Sequence, residues 1–298
     1  MKSKIVSLKD AVSRIESGST IAVGGSLLRR QPMAIIHEII RQDIRDLTLL
    51  TWATTMATDM LAGAGAVRRW EGIYAGFFRH GLAPNFRRQV EAGLIETHDY
   101  SESATVARFR AAGMGISFLP IKSMLGTGMV RKSPDQIKEI RCPFTGDTYH
   151  ALAAAHADFT ILHGYVADEY GNVQWPIVRD SDDIDQMMAS ASKRLIVTVE
   201  KIVPHSEIQR RPALTYIPHT LVEAIVEAPY GAHPCACDGF YDEDEAAVKD
   251  YLAAAKTPEG TSQYLADHVF SRRDHAAYLE TFGGREALRA LNVTGGAE

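Results

Sequence analysis

This sequence predicts an α/β fold: an open, mainly parallel sheet with helices on both faces, followed by a C-terminal helical segment. Three observations carry that prediction. Helical and extended patterns alternate through the first half, "RLIVTVEKIV" in the second half is the strongest strand signal in the chain, and everything after "DEDE" has helical periodicity. Strands separated by helices of this length pair in parallel and are buried on both faces.

The elements follow in order. "LKDAVSRIESG" spaces its apolar residues by three and four and stops at Gly18, and "STIAVGG" is a short apolar run ending in glycines. Pro32 opens "PMAIIHEIIRQ" as a second amphipathic helix, since a proline at the first helical position gives up no needed N–H. "LTLLTW" is a buried strand, "NFRRQVEAG" a helix, "LIETHDY" a strand, "SATVARFRAAGMG" a helix and "ISFLPI" another short strand of the series. "DFTILHGYVADEYGNV" runs into a Gly-Asn turn, and "LVEAIVEAP" precedes a turn-rich loop. "DEDEAAVKDYLAAAK", "TSQYLADHVF" and "HAAYLETFGG" then form the tail, with acids in its first turn where they complement the helix dipole. No repeat and no Pro/Ser/Gly linker divides the chain, so residues 1–298 are expected to form one domain, with 242–298 as its helical tail.

Composition narrows the function. The 298 residues are 46% hydrophobic with a net charge of −5, which gives a large core and no general field for nucleic acid. Three cysteines are too few for a disulfide framework, and the first residues lack the apolar stretch of a signal peptide. No apolar run approaches the ~20 residues that cross a bilayer; "SFLPIKSML" is broken by Pro120 and Lys122. A cytoplasmic chain that binds neither membrane nor nucleic acid is expected.

Several stretches bear on chemistry. In "HPCAC", His233, Cys235 and Cys237 offer three soft ligands where a structural zinc site wants four, and only Cys142 remains, so no metal is expected. A redox pair would favour Cys-x-x-Cys, which leaves a shaped loop: Pro229 and Gly231 permit tight turns just past a strand, where parallel sheets place ligand sites. Gly24 and Gly25 also follow a strand, and N–H groups at such a turn can cradle an anion or oxyanion, although the spaced glycines of a dinucleotide site are absent. Gly126 and Gly128 in "GTG" form a second loop of this kind. Glu102 stands where a strand hands over to a helix, with Ser101 as the expected N-cap; it reads either as a first-turn acid or as a nucleophile or general base. Asp168 and Glu169 read as turn acids, His156 and His163 as flanking a buried strand, and Arg108 and Arg110 as facing solvent or phosphates.

Taken together, "LKDAVSRIESGSTIAVGG", "DLTLLTW", "DYSESATVARFRAAGMGISFLPI", "GTG", "DEYGNV" and "EAPYGAHPCACDGFYDED" resemble family I coenzyme A transferases, in particular α subunits of the glutaconate type. The resemblance runs nearly end to end. It implies an open α/β fold, an acyl-CoA thioester as substrate with no permanently bound cofactor, and a β subunit of related fold in an α2β2 or larger assembly. The active site would lie between the two chains. In that family a β-chain glutamate attacks the acyl-CoA, giving a mixed anhydride and then a glutamyl-CoA thioester; a carboxylate can hold acyl-transfer energy covalently while acids exchange. That glutamate lies just after the strand matching "LTLLTW", where this chain has "ATTM". The resemblance therefore implies the noncatalytic half, supplying pocket-wall groups around Gly24, Gly25, Ser26, Gly126, Gly128, Tyr230, Gly231 and His233.

Two alternatives stay open at this level. Related steroid ring-cleaving CoA hydrolases place a working glutamate at the position of Glu102, which would make this chain a ring-opening hydrolase subunit. A nonenzymatic ligand-sensing module could also use this type of fold, although neither end of the chain carries a basic helix-turn-helix pattern.

Overall fold

The computed structural model describes residues 2–175 and 183–293. After helix α1 (Leu8–Val12), capped by the Ser7 hydroxyl, come strand β1 (Thr20–Val23), helix α2 (Met33–Arg41) and strand β2 (Leu47–Thr51). A two-residue strand β3 (Ala53–Thr54), α3 (Met56–Gly63), β4 (Val67–Gly72), the two-residue β5 (Tyr74–Ala75), α4 (Pro84–Glu91), β6 (Glu96–Asp99) and α5 (Glu102–Gly113) follow. Then come β7 (Phe118–Ile121), β8 (Ile137–Arg141), β9 (Thr148–Ala153), the long β10 (Ala157–Ala167) and β11 (Val173–Gln174). The body ends with α6 (Asp183–Ala191), β12 (Ser192–Ile202), α7 (His205–Arg210), β13 (Thr215–Ile217) and β14 (Val222–Glu227). The tail carries α8 (Glu245–Ala254), α9 (Pro258–Leu265), α10 (His275–Glu280) and α11 (Gly284–Leu288).

Strands β14, β12, β10, β1, β2, β4 and β6 pair in that order, all in parallel, and β11 and β13 add a short antiparallel extension beside the end of β10. The chain builds outward from β1 on one side and then returns to start again at β10 on the other. The sheet thus has a topological switch point between β1 and β10, where open parallel sheets form their crevice.

Side-chain alternation decides what covers each face. Ile21, Val23, Leu47 and Leu49 point into the main core beside α2, α3 and the tail, whereas Ala22 and Leu50 point to the other side, against Phe109 of α5 and Met188 of α6. "ISFLPI" departs from the expected series. As β7 it leaves the large sheet and forms, with β9 and β8, a separate three-stranded antiparallel sheet packed on α5. Pro120 lies in an edge strand of this small sheet, where its missing N–H costs no ladder bond.

Buried polar links dock the tail on the body. Tyr251 of α8 donates to Asp59 of α3 at 2.7 Å, Asn85 donates to the same carboxylate at 3.2 Å, and Thr261 of α9 donates to Asn85 at 2.7 Å. Tyr278 of α10 packs at a tilt against His37 of α2, with ring centres 4.3 Å apart, and its hydroxyl lies 3.0 Å from His233 Nδ1.

Candidate active site

At the switch point the Gly25 N–H donates to the Asp185 carboxylate at 2.9 Å, and Asp185 also pairs with Arg30; both side chains are fully buried. The anion met by this turn is therefore the chain's own. A Cβ on Gly24 would come within 2.1 Å of Leu162 and 2.8 Å of Asp185, so glycine is required for close approach, and Gly25 holds φ at +82°. Ser26 is buried, and its N–H donates to the Arg29 carbonyl.

From this turn a seam of backbone bonds crosses the carboxyl edge of the sheet. Leu27 N–H donates to Ala53 O, Gly76 N–H to Thr54 O, and Arg30 N–H to Ala236 O, while Ala236 N–H returns to Leu28 O. Gln31 reinforces it, donating to Thr55 Oγ1 at 2.9 Å and accepting from Ala57 N–H at 2.8 Å. The "ATTM" segment after β2 is consequently closed by backbone, hydroxyl and amide groups and contains no acid.

The "EAPYGAHP" loop is organised by a residue that the motifs above do not include, Glu200 of β12. Its buried carboxylate accepts from Tyr230 N–H at 2.7 Å and Tyr241 O–H at 2.8 Å, and lies 2.7 Å from His163 Nε2. His163 Nδ1 lies 2.9 Å from Thr198 Oγ1. His163 does not flank β10, as expected, but sits inside it and is fully buried; His156 precedes the strand and is exposed. Gly231 passes directly over this imidazole, and a Cβ there would lie 2.6 Å from its ring and from Ala228 O. Tyr230, at φ +56°, donates its hydroxyl to Asn292 at 2.9 Å, and His233 is buried between Tyr278 and Asp244. His163, Glu200 and Cys237 bring their donor atoms within 4.8 Å of one another, a spacing that could hold a metal ion, while His163 and Glu200 already bond each other. The signal for this hub was an acid inside the buried run of a strand, Glu200 in "LIVTVEKI".

Glu102 lies elsewhere, on an open groove of about 680 Å³ between α5 and β7. The Ser101 hydroxyl caps α5 by accepting from Ala104 N–H at 3.3 Å, which places Glu102 in the first turn, exposed. The groove walls are Val106, Ala107, Leu119, Pro120 and Ile121, and Arg110 stands two turns further along the helix. Arg108 turns the opposite way. It is buried, pairs with Glu71 at 2.8 Å, donates to Ala153 O and lies 4.3 Å over the Tyr100 ring. Gly126 and Gly128 belong to the loop after β7 and not to the carboxyl edge of the large sheet; Gly126 has φ +77° and open space around it. That loop starts beside Ser123, whose hydroxyl is 2.9 Å from Ser101 at the groove's end. Asp168 is a turn acid, as expected, but a buried one. Burial alone would raise its carboxyl, yet hydrogen bonds from Asn172, His205 and Tyr170 hold it below the usual carboxylate range.

The profile of the coenzyme A transferase family matches residues 5–228. The chain belongs to the coenzyme A transferase family. The A subunit of glutaconate CoA-transferase from Acidaminococcus fermentans is 37% identical to it over 98% of this chain and 94% of its own length. A crystal structure of glutaconate coenzyme A-transferase from the same organism superposes with a TM-score of 0.92, covering 99% of this chain and 97% of that one at 35% identity. The A subunit of a 3-oxoadipate CoA-transferase from Pseudomonas knackmussii is 29% identical over 92% of this chain and 96% of its own. The IpdA subunit of a cholesterol ring-cleaving hydrolase from Rhodococcus jostii is 30% identical over 96% and 99%. An uncharacterized protein of Archaeoglobus fulgidus is 38% identical over 98% of this CoA-transferase chain, which spans 65% of that relative's length. Among the described residues of the CoA-transferase chain, no helix is long and apolar enough to cross a membrane.

Proposed function

We propose that this chain is the α subunit of a heteromeric, cytoplasmic CoA-transferase that moves CoA between an acyl-CoA and a carboxylic acid. The observation that carries this reading is end-to-end similarity to the A subunits of CoA-transferases, combined with an acid-free turn after β2. The nucleophilic glutamate is then the partner's. It attacks the thioester carbonyl and releases CoA thiolate, leaving a mixed anhydride. The thiolate attacks the glutamyl carbonyl of that anhydride and releases the first acid. The incoming acid then attacks the glutamyl thioester carbonyl and releases CoA thiolate, leaving a second anhydride, and the thiolate attacks that anhydride's acyl carbonyl, giving the new acyl-CoA and freeing the glutamate carboxylate. Residues 1–298 act as one domain, with 242–298 as its helical tail, in an α2β2 or larger assembly. Gly24, Gly25, Ser26, Tyr230, Gly231 and His233 shape the wall through the backbone they fix, and Gly126 and Gly128 flank the groove.

One observation favours a second reading. Glu102 is exposed on the groove and belongs to a chain 30% identical to a ring-cleaving hydrolase subunit, so it could act as the carboxylate of a water-dependent reaction. The test is turnover of acyl-CoA by the chain co-expressed with its β partner, offering acetate or water as acceptor. Transfer to acetate that survives Glu102→Ala and is lost on removing the partner's glutamate supports the transferase. Hydrolysis abolished by Glu102→Ala replaces it. The isolated chain is expected to be inactive, and full turnover by it alone would refute the α-subunit assignment.

A further inference from the structure

A short loop at the carboxyl edge of the sheet turns two large apolar side chains out of the protein. In "GFFRHGL", residues 76–82, Phe78 is 69% exposed and Leu82 is 62% exposed, while the adjoining Phe77 is fully buried and packs near Tyr251 of the tail. The loop is held rigidly. Phe77 N–H donates to Gly81 O at 2.7 Å, Gly76 bridges to Leu82, Phe78 N–H donates to the Tyr74 hydroxyl at 3.0 Å, and Arg79 pairs with Glu243 ahead of α8. Phe78 holds φ at +49°, a left-handed conformation that is costly for a residue carrying a Cβ. The chain thus keeps a strained, pinned knuckle that presents Phe78 and Leu82 to solvent, where large apolar side chains gain nothing from the protein's own core.

The knuckle is continuous with the acid-free "ATTM" turn. Strand β5 pairs with β3, Ala53 with Tyr74 and Thr54 with Ala75, and Gly76 N–H donates to Thr54 O. We propose that Phe78 and Leu82 are anchors by which the β subunit docks on this edge, seated in an apolar hollow on the partner's face. This rests on the α-subunit reading: the reacting glutamate is the partner's and must be brought over the acid-free turn, so the partner covers the feature hydrogen-bonded to that turn. Side chains that protrude this far fit a hollow in a protein surface, whereas a small acid lies in a concave site. Arg79, the one formal charge in residues 76–82, is already paired with Glu243, so drying the knuckle leaves no lone cation between its two apolar groups. The loop is fixed before docking, which keeps the ordering cost of association low.

Leu94 supplies a matched control, since it is 65% exposed but lies just before β6, at the opposite, amino edge of the sheet. Dissociation of the co-expressed α/β complex on dilution is measured by sedimentation for wild type, Phe78→Gly, Leu82→Ser and Leu94→Ser, and the Tm of each full α chain is measured alone. Phe78→Gly and Leu82→Ser are each expected to raise the Kd for the β chain roughly 10- to 100-fold, with Leu94→Ser within about 2-fold of wild type. Phe78→Gly should at the same time leave the Tm of the free chain unchanged or higher, because glycine relieves the left-handed backbone; a folding defect would lower it. A Kd that stays within about 2-fold for both knuckle variants, or that rises equally for Leu94→Ser, overturns the proposal. So does an intact complex with a raised KM for acyl-CoA, which would assign the knuckle to the substrate. A wild-type complex that forms but moves no CoA refutes the transferase reading, and the Kd comparison still decides the docking. A wild-type chain that does not bind the β chain overturns both.

Discussion

Arg108 and Arg110, two residues apart on one helix, show how a side chain's direction separates a buried ion pair from an exposed charge. Arg108 is buried against Glu71, whose carboxyl burial would raise but the guanidinium holds below its ordinary range. Arg108→Met removes one of the partners of the buried Glu71 carboxylate, which keeps Arg69 and Gln136, and should destabilise the chain by about 1–3 kcal/mol in urea unfolding. Glu102→Ala removes only a first-turn acid and should cost about 0.5 kcal/mol by the same measurement. The thiols separate as sharply. Cys235 and Cys237 are buried, and burial pushes the Cys235 thiol up; Cys142 is partly exposed, and the Thr145 hydroxyl brings its thiol down. Titration of the folded chain with a disulfide reagent should therefore label Cys142 promptly and the other two only on unfolding.

At the scale of elements, most helices and strands were legible because their apolar periodicity matches how they are buried. The Ser101 cap of α5 and the Gly-Asn turn after β10 were readable for the same local reason. "ISFLPI" was legible as a strand but not in its partners, since nothing local to Phe118–Ile121 distinguishes a seat in the large sheet from one beside β9. The tail's helices were visible, but what fastens them was not. Asp59 of α3 gathers Tyr251, Asn85 and the Phe86 N–H around it, and burial raises its carboxyl. Tyr251→Phe removes one of these donors and should lower stability by about 1–3 kcal/mol, with little effect on turnover by the α/β complex.

The molecule as a whole carries a buried histidine cluster between α2, the 228–236 loop and the tail. Burial lowers His37 well below the ordinary histidine range of 6.5, with His275, Arg41 and His233 adding to the effect, and pushes His275 down to about 4. These rings are neutral when folded and bind protons near 6.5 when unfolded, so the unfolded chain takes up more protons as pH falls. Their contribution is complete above pH 6.5 and is lost progressively toward pH 4, by about 3 kcal/mol for His275 alone. Thermal unfolding at pH 7.5 and 5 should show the lower Tm at pH 5. Replacing His275 with Gln should flatten that dependence.

Residue order alone determined the α/β alternation, the family and the absence of an acid after β2, because these depend on local periodicity and on contiguous motifs. Tertiary structure decided what the chemistry-bearing residues face. Asp185 fills the Gly25 turn from 160 residues away, Glu200 of β12 fastens Tyr230 and Tyr241, and folding β7 against α5 turns Glu102 and Arg110 into the ends of one groove. Such encounters depend on strand order and packing across the whole sheet, and no run of neighbouring residues encodes them.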